Sequence, residues 1–330
     1  MLILVCGGAG YIGSHVVRQL QKAGFEALVL DNLAKGHKEA IGDVPFVEAD
    51  ITCSGDLEKV FSDYRVDAVM HFAAHSLVGE SVARPGMYYH NNVAGTLNLL
   101  TAMLQAGVKR IIFSSTAAVY GEPLEIPIPE DHPANPTNPY GATKLTVEGM
   151  LRWFDNAHGL KYISLRYFNA AGADPAGDMG EDHSPETHLI PLVLKAALGV
   201  LPEVRVFGTD YPTPDGTCVR DYIHVTDLAE AHILALKSLM EGSRSDIFNL
   251  GNGSGFSVLE VIRAAGAVTG GAVNTVYGER RPGDHAFLVA SAEKAKRELG
   301  WNPVYNHLET IISTAWNWHK NHPAGFASRR

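Results

Sequence analysis

Apolar residues fall in short unbroken runs, separated by stretches with a helical period. Residues 2–6 are continuously apolar, the pattern of a strand buried on both faces. Residues 11–23 read as a helix stopped by Gly24. Residues 27–30 form a second run, ended by Asp31-Asn32, and 46–47 a third, ending near Asp50. Beyond these, 57–64 reads as helix, 68–72 as strand and 91–105 as an amphipathic helix followed by Gly107. Residues 110–114 read as strand, 137–156 as a second long helix and 162–167 as strand. This alternation predicts an α/β fold on a doubly wound parallel sheet of the Rossmann type.

The pattern changes after Phe168. Residues 171–185 are rich in Gly, Asp and Pro and read as a loop; 189–198 reads as a helix. The chain is expected to divide into a first domain, 1–169, and a second, smaller α/β domain, 170–330. The strand, helix and strand over 220–239 and 247–250 are expected to return to the first sheet.

Composition narrows the classes. The chain has 330 residues, enough for a sizeable core, and a formal charge of −9 without a basic stripe, which argues against a nucleic-acid partner. Cys6, Cys53 and Cys218 are widely spaced and form no CxxC, so neither a metal nor a redox motif is expected. The start of the chain has no basic region, and its apolar run is too short for a signal peptide or membrane span. A cytoplasmic protein is the expectation.

Two groups carry chemistry. Gly7, Gly10 and Gly13 follow a strand and open a helix, so the backbone there can approach a pyrophosphate at a helix N-terminus. A glycine triplet alone is often only a tight loop; the strand–turn–helix context is what favours a dinucleotide. Asp31, 18 residues after Gly13, suits the ribose hydroxyls and repels a 2′-phosphate, which favours NAD over NADP. Asp50 and Ile51 are placed to meet the adenine. The second group is Tyr140 and Lys144, which share a helix face. A phenol has a pKa of about 10, and a nearby ammonium together with the positive nicotinamide ring is expected to lower it so that Tyr140 serves as a base. A lone YxxxK is more often a surface helix. Here Ser114-Ser115-Thr116 ends a strand, where ligands of parallel sheets bind, and can supply a hydroxyl to the same substrate oxygen.

Other clusters carry less. Asp178, Glu181, Asp182 and His183 match no ligand spacing and read as a polar loop, with no metal expected. Of His71 and His75, one is expected to be structural.

These residues resemble the extended short-chain dehydrogenase/reductase family, and within it the UDP-glucose 4-epimerases, over nearly the whole chain. The resemblance rests on GGAGYIGSH (7–15), LDNL (30–33), HFAA (71–74), VGES (78–81), YYHNNVAGT (88–96), FSSTAAVYG (113–121) and NPYGATK (138–144). It extends through LRYFNAAGADPAGDMGED (165–182), DGTCVRDYIHVTDLA (215–229), FNLGNG (248–253) and RRPGD (280–284).

The resemblance implies reversible epimerisation of UDP-glucose and UDP-galactose at C4 through a transient 4-keto sugar, with NAD tightly bound. Tyr140 and Thr116 would engage the 4-hydroxyl, with Lys144 also reaching the nicotinamide ribose. Tyr11, Ile12, Asn32, Phe72, Ala73, Ala74, Asn91 and Phe168 would surround NAD. Ser76 stands where some members carry a cofactor-contacting lysine. Asn169, His188, Leu189, Phe207, Arg220, Arg281 and Asp284 would hold the substrate, with Leu288 as a size gate at the sugar. A homodimer through the helices near 91–105 and 140–156 is also implied. A nucleotide-sugar 4,6-dehydratase is disfavoured, because Ala117 and Ala118 replace that class's Asp-Glu pair. An epimerase of a UDP-uronate, UDP-pentose or N-acetylhexosamine remains an alternative, as does, more remotely, a non-catalytic NAD-binding protein.

Overall fold

The unbroken apolar run at the start of the chain forms the middle of a seven-stranded sheet. A computed structural model describes residues 1–281 and 284–326; Pro282 and Gly283 of the RRPGD segment and residues 327–330 lie outside the described residues. The first half runs β1 (Leu2–Cys6), α1 (Tyr11–Lys22), β2 (Glu26–Asp31), β3 (Phe46–Glu48), α2 (Ser54–Asp63) and β4 (Ala68–His71). It continues through α3 (Val78–Ala83), α4 (Pro85–Tyr88), α5 (Gly95–Gln105), β5 (Arg110–Ser114), α6 (Pro139–His158) and β6 (Lys161–Tyr167). The second half runs β7 (Asn169–Ala171), α7 (Leu189–Ala197), β8 (Val204–Phe207), β9 (Val219–Arg220), β10 (Tyr222–His224) and α8 (Val225–Met240). It ends with β11 (Asp246–Leu250), β12 (Phe256–Ser257), α9 (Val258–Thr269), β13 (Thr275–Gly278), β14 (Phe287–Leu288), α10 (Glu293–Leu299) and α11 (Leu308–Asn321).

The large sheet has the order β11-β6-β5-β4-β1-β2-β3, and every neighbouring pair is parallel. Successive side chains of β1 serve two cores. Ile3 and Val5 pack with Val16, Leu20 and Leu228, while Leu4 and Cys6 pack with Leu28, Leu57, Leu99 and Val147. Burial on both faces explains why β1 shows no alternation. The chain builds outward from β1 to β3 and then returns to β4. That reversal opens a crevice at the carboxyl ends of β1 and β4, where doubly wound sheets bind ligands.

α8 packs against α1, and β11 adds an edge strand beside β6. The remaining elements form small two- and three-stranded sheets, with α7, α9 and α11 sharing a separate apolar core. One helix differs from the hydrophobic pattern. The segment read as 91–105 begins earlier, at Pro85, and widens into a π-helical stretch, Tyr89–Ala94, before α5. The widened turn directs Asn92 inward, where it accepts from the His75 N–H at 2.9 Å and donates to the Thr143 hydroxyl at 3.1 Å. A polar residue used this way leaves no apolar period to read.

Candidate active site

The turn after β1 is crowded by backbone. A Cβ on Gly7 would lie 2.5 Å from the Ala73 nitrogen, and one on Gly13 would lie 2.2 Å from the Gly7 carbonyl oxygen. Gly10 has nothing closer than that carbonyl, at 3.4 Å, so its own face is open. It is also the N-cap of α1 and has no side chain to satisfy the first N–H groups, which leaves an anion-binding helix end. Asp31 ties the turn to β2, its Oδ2 accepting from the Ala9 N–H at 3.0 Å and its Oδ1 from the Leu33 N–H at 2.9 Å. Burial pushes the Asp31 carboxyl up, and these N–H donors oppose that.

Gly7, Gly10, Asp31, Asn32, Ile51, Phe72, Ala73, Ala74 and Asn91 line one cavity. The cramped glycines, the uncapped helix end and the adjacent carboxylate fit a dinucleotide. Lys35 and His75 also line it. Lys35 did not stand out in the sequence and His75 was singled out only beside His71, although Gly36, whose Cβ would lie 2.8 Å from the Ala9 carbonyl carbon, marks the close approach of the Lys35 loop. Several expected cofactor residues are not among those lining the cavity. Asp50 accepts from the Asn32 amide at 2.8 Å, the Tyr11 hydroxyl donates to the Gly172 carbonyl at 2.7 Å, and Ile12 packs into the core. Phe168 packs beside Ala117, Val119 and Tyr120. His71 is buried against Thr96, with 2.8 Å between its Nε2 and the Thr96 hydroxyl, and burial followed by the Lys144 charge lowers it to about 3.

α6 begins with Pro139 after Asn138, whose side chain accepts from the Gly141 N–H at 2.9 Å. This cap fixes the first turn and therefore Tyr140. Lys144 points back to β5, donating to the Ser114 carbonyl oxygen at 2.7 Å with its Nζ 4.7 Å from the centre of the Phe113 ring. Burial lowers Lys144 to about 7, against the pull of Glu148. Thr116 lies beside the Tyr140 phenol and accepts from the Ala118 N–H at 3.1 Å. Burial raises the phenol and only the Thr116 side chain opposes it, while the ammonium is turned to Ser114 and is itself held down by burial.

Behind this trio lies a buried network that the sequence reading missed. Arg166 makes a two-pronged contact with Glu148, at 2.9 Å from Nε and 2.6 Å from Nη2. The Ser115 hydroxyl donates to Glu148 at 2.6 Å, and Arg166 also donates to the Tyr120 hydroxyl at 2.9 Å. One signal was available: Glu148 follows Lys144 by four residues and continues the buried face of α6.

Of the second-half residues, Arg220 and Asp284 pair at 3.3 Å, and the Arg281 guanidinium stacks 3.9 Å from the centre of the Phe207 ring. The Asn169 side chain donates to the Asp221 carbonyl at 2.9 Å, and the Asp221 N–H donates to the Leu288 carbonyl at 3.0 Å. Leu288 pairs in register with Arg220 and packs on the Ala117–Tyr120 cluster. His188 precedes Leu189 at the start of α7. Burial would lower its imidazole, but Glu181 and Glu186 outweigh this and hold it at about 10. Asp178 and Asp182 turn elsewhere, to Arg18 at 2.7 Å and His37 at 3.4 Å. A wider open groove between α9 and α11 contains none of these residues.

A model of the NAD dependent epimerase/dehydratase family matches residues 3–251. The chain is 57% identical over 328 residues to a UDP-glucose 4-epimerase of Halalkalibacterium halodurans, covering 99% of this chain and 98% of that one. A solved UDP-glucose 4-epimerase structure superposes with a TM-score of 0.97 at 53% identity, covering 99% of both chains. The UDP-glucose 4-epimerase from Bifidobacterium longum, solved in complex with NAD+ and UDP, superposes at 0.93 with 41% identity, covering 99% of this chain and 100% of the other.

Proposed function

The chain belongs to the NAD dependent epimerase/dehydratase family, and from that premise we propose that it interconverts UDP-glucose and UDP-galactose by inverting C4 of the hexose. The carrying observation is Tyr140 beside Thr116, with Lys144 held to the Ser114 carbonyl at the end of β5, in a chain so similar to UDP-glucose 4-epimerases over its whole length. Bound NAD supplies the two-electron acceptor and returns those electrons later. Thr116 and Tyr140 engage the sugar 4-hydroxyl. The Tyr140 oxygen takes its proton and gives one back after the 4-keto sugar has presented its other face. Two methyl groups, Ala117 and Ala118, follow Thr116, so no acid–base pair is present there for dehydration.

We read Arg220 and Arg281 as partners of the UDP diphosphate, Phe207 as a neighbour of the uracil and Asp284 as a ribose contact. Asn169, His188 and Leu189 complete the nucleotide side, and Leu288 faces the hexose. The bonds from Asn169 through Asp221 to Leu288 support this reading, since they tie the two ends of the substrate cleft together. A firm hold on UDP with a loose hold on the hexose leaves the keto sugar free to turn.

In this reading residues 1–169 hold the cofactor and residues from 170 onward the substrate, with α8 and β11 returning to the first sheet. We also infer a homodimer, supported by Leu97 on α5 and Trp153 on α6, which are 46% and 66% exposed. No helix among the described residues is long and apolar enough to cross a membrane, and the three cysteines are free, which fits a cytoplasmic setting.

The test is to incubate the purified protein with UDP-galactose and no added NAD, following the anomeric proton by NMR. Appearance of UDP-glucose is expected. Its absence from folded protein shown to carry NAD overturns the reading.

A further inference from the structure

Four side chains that the proposed chemistry does not use as a group converge between the loop after β7 and the start of α7. Glu181, His183, Glu186 and His188 each offer one ligand atom, and the four atoms lie within 4.8 Å of one another. The two imidazole Nδ1 atoms lie 3.0 and 2.7 Å from Glu181 Oε1. His188 Nδ1 is 3.1 Å from Glu186 Oε1, and His183 Nδ1 is 3.9 Å from Glu186 Oε2. The Glu181 and Glu186 side chains are only 5% and 4% exposed.

Glu186 Oε2 is buried with no hydrogen-bond partner. A buried carboxylate oxygen with no hydrogen-bond partner is a cost that a bound cation would relieve. Two imidazoles and two carboxylates are a familiar donor set for zinc and its first-row neighbours. Ligand distances of about 2.0–2.2 Å around a tetrahedral ion place ligand atoms roughly 3.3–3.6 Å apart. The four ligand atoms, all within 4.8 Å of one another, lie near that range. The two carboxylate charges would be balanced by one dication.

We propose that Glu181, His183, Glu186 and His188 form a binding site for a divalent first-row transition metal ion, zinc foremost. The location gives the site a structural role. Its loop crosses onto the cofactor half, where Lys35 donates to the Ser184 carbonyl at 2.5 Å and His37 Nε2 lies 3.1 Å from the Asp182 carbonyl oxygen. Lys35 itself lines the dinucleotide cavity. An ion shared by His183 on that loop and His188 at the head of α7 would fasten the strap that joins the two halves.

The site was hidden in the sequence because two of its ligands, Glu186 and His188, lie past the acidic loop, just before the helix start. It shares His188 with the nucleotide side of the proposed function, and its test reads metal binding rather than turnover.

The test uses tag-free, chelator-stripped full-length protein, titrated with Zn²⁺ against a chromophoric chelator and with Co²⁺ for visible bands of tetrahedral coordination. One equivalent per chain is expected, with tetrahedral Co²⁺ bands. His183→Ala and, as the variant least disturbing to the fold, Glu186→Gln are each expected to weaken Zn²⁺ binding by ~100-fold or more, since even outer partners of metal ligands contribute 10–100-fold. His158→Ala, outside the cluster, should bind as wild type. Failure of folded wild-type protein to take up one equivalent overturns the proposal. So does uptake unchanged in both cluster variants.

Discussion

Lys144 donates a 2.7 Å hydrogen bond to the Ser114 carbonyl oxygen, and so the charged end of the α6 face is pinned to the end of β5. Burial disfavours the ammonium and places its pKa near 7, while the Glu148 carboxylate favours it. Glu148→Gln removes the favourable charge and leaves Arg166 as an uncompensated cation nearby. Both changes act in one direction, so Lys144 is expected to release its proton at lower pH than in the wild type. Lysine-selective NMR, with Lys144 assigned by its loss in Lys144→Met, reads this. An unchanged or higher pKa in Glu148→Gln contradicts the argument.

The Glu148–Arg166 pair is itself a stability element. The two side chains are 4% and 6% exposed, and neither has water to fall back on. Breaking a buried pair by removing one partner costs about 3–5 kcal/mol, because the other charge stays behind. Arg166→Met is expected to lose that much in urea unfolding. Arg166→Lys should recover little, because an ammonium cannot reproduce the two-pronged contact. A loss below about 1 kcal/mol would show that the network is dispensable.

This network shows where the sequence stops being readable. β1, β4 and β5 were legible because burial on two faces leaves unbroken apolar runs. Tyr140 and Lys144 were legible because four residues make one helical face. Glu148 and Arg166 lie 18 residues apart on a helix and a strand, and nothing local joins them. Asn92 was lost for a related reason, since its partners are the His75 backbone and Thr143. Asp221 is another such case: buried, it accepts N–H groups of Asn252, Gly253 and Ala290, all distant in sequence. The residue types were visible, but the contacts that give them a role come only from the fold.

Tyr140→Phe deletes one oxygen and keeps the ring. If that oxygen carries the proton, kcat should fall by about 10²–10⁴-fold, the usual worth of a positioned acid–base group. UDP affinity by calorimetry should be unchanged, because the nucleotide contacts are assigned to the second half. Near-wild-type turnover would remove Tyr140 from the mechanism, and a parallel loss of UDP binding would point to a disturbed fold.

Substrate width is expected to turn on Leu288. Its side chain packs against the cluster of Ala117, Val119, Tyr120 and Ile128, and its backbone pairs with the Arg220 strand. It thus sits between the strand-end hydroxyl of Thr116 and the proposed diphosphate contact. A leucine there leaves less room than alanine for an N-acetyl group on C2 of the hexose. Wild-type protein should turn over UDP-glucose and UDP-galactose well and their N-acetylated counterparts poorly. Leu288→Ala should raise kcat/KM for UDP-N-acetylglucosamine relative to UDP-glucose by about tenfold or more, the scale on which apolar pockets discriminate. Leu288→Tyr should move the ratio the other way. Equal efficiency of the wild type on both sugar pairs would separate Leu288 from specificity, and a ratio unmoved in both variants would place the hexose elsewhere in the cleft.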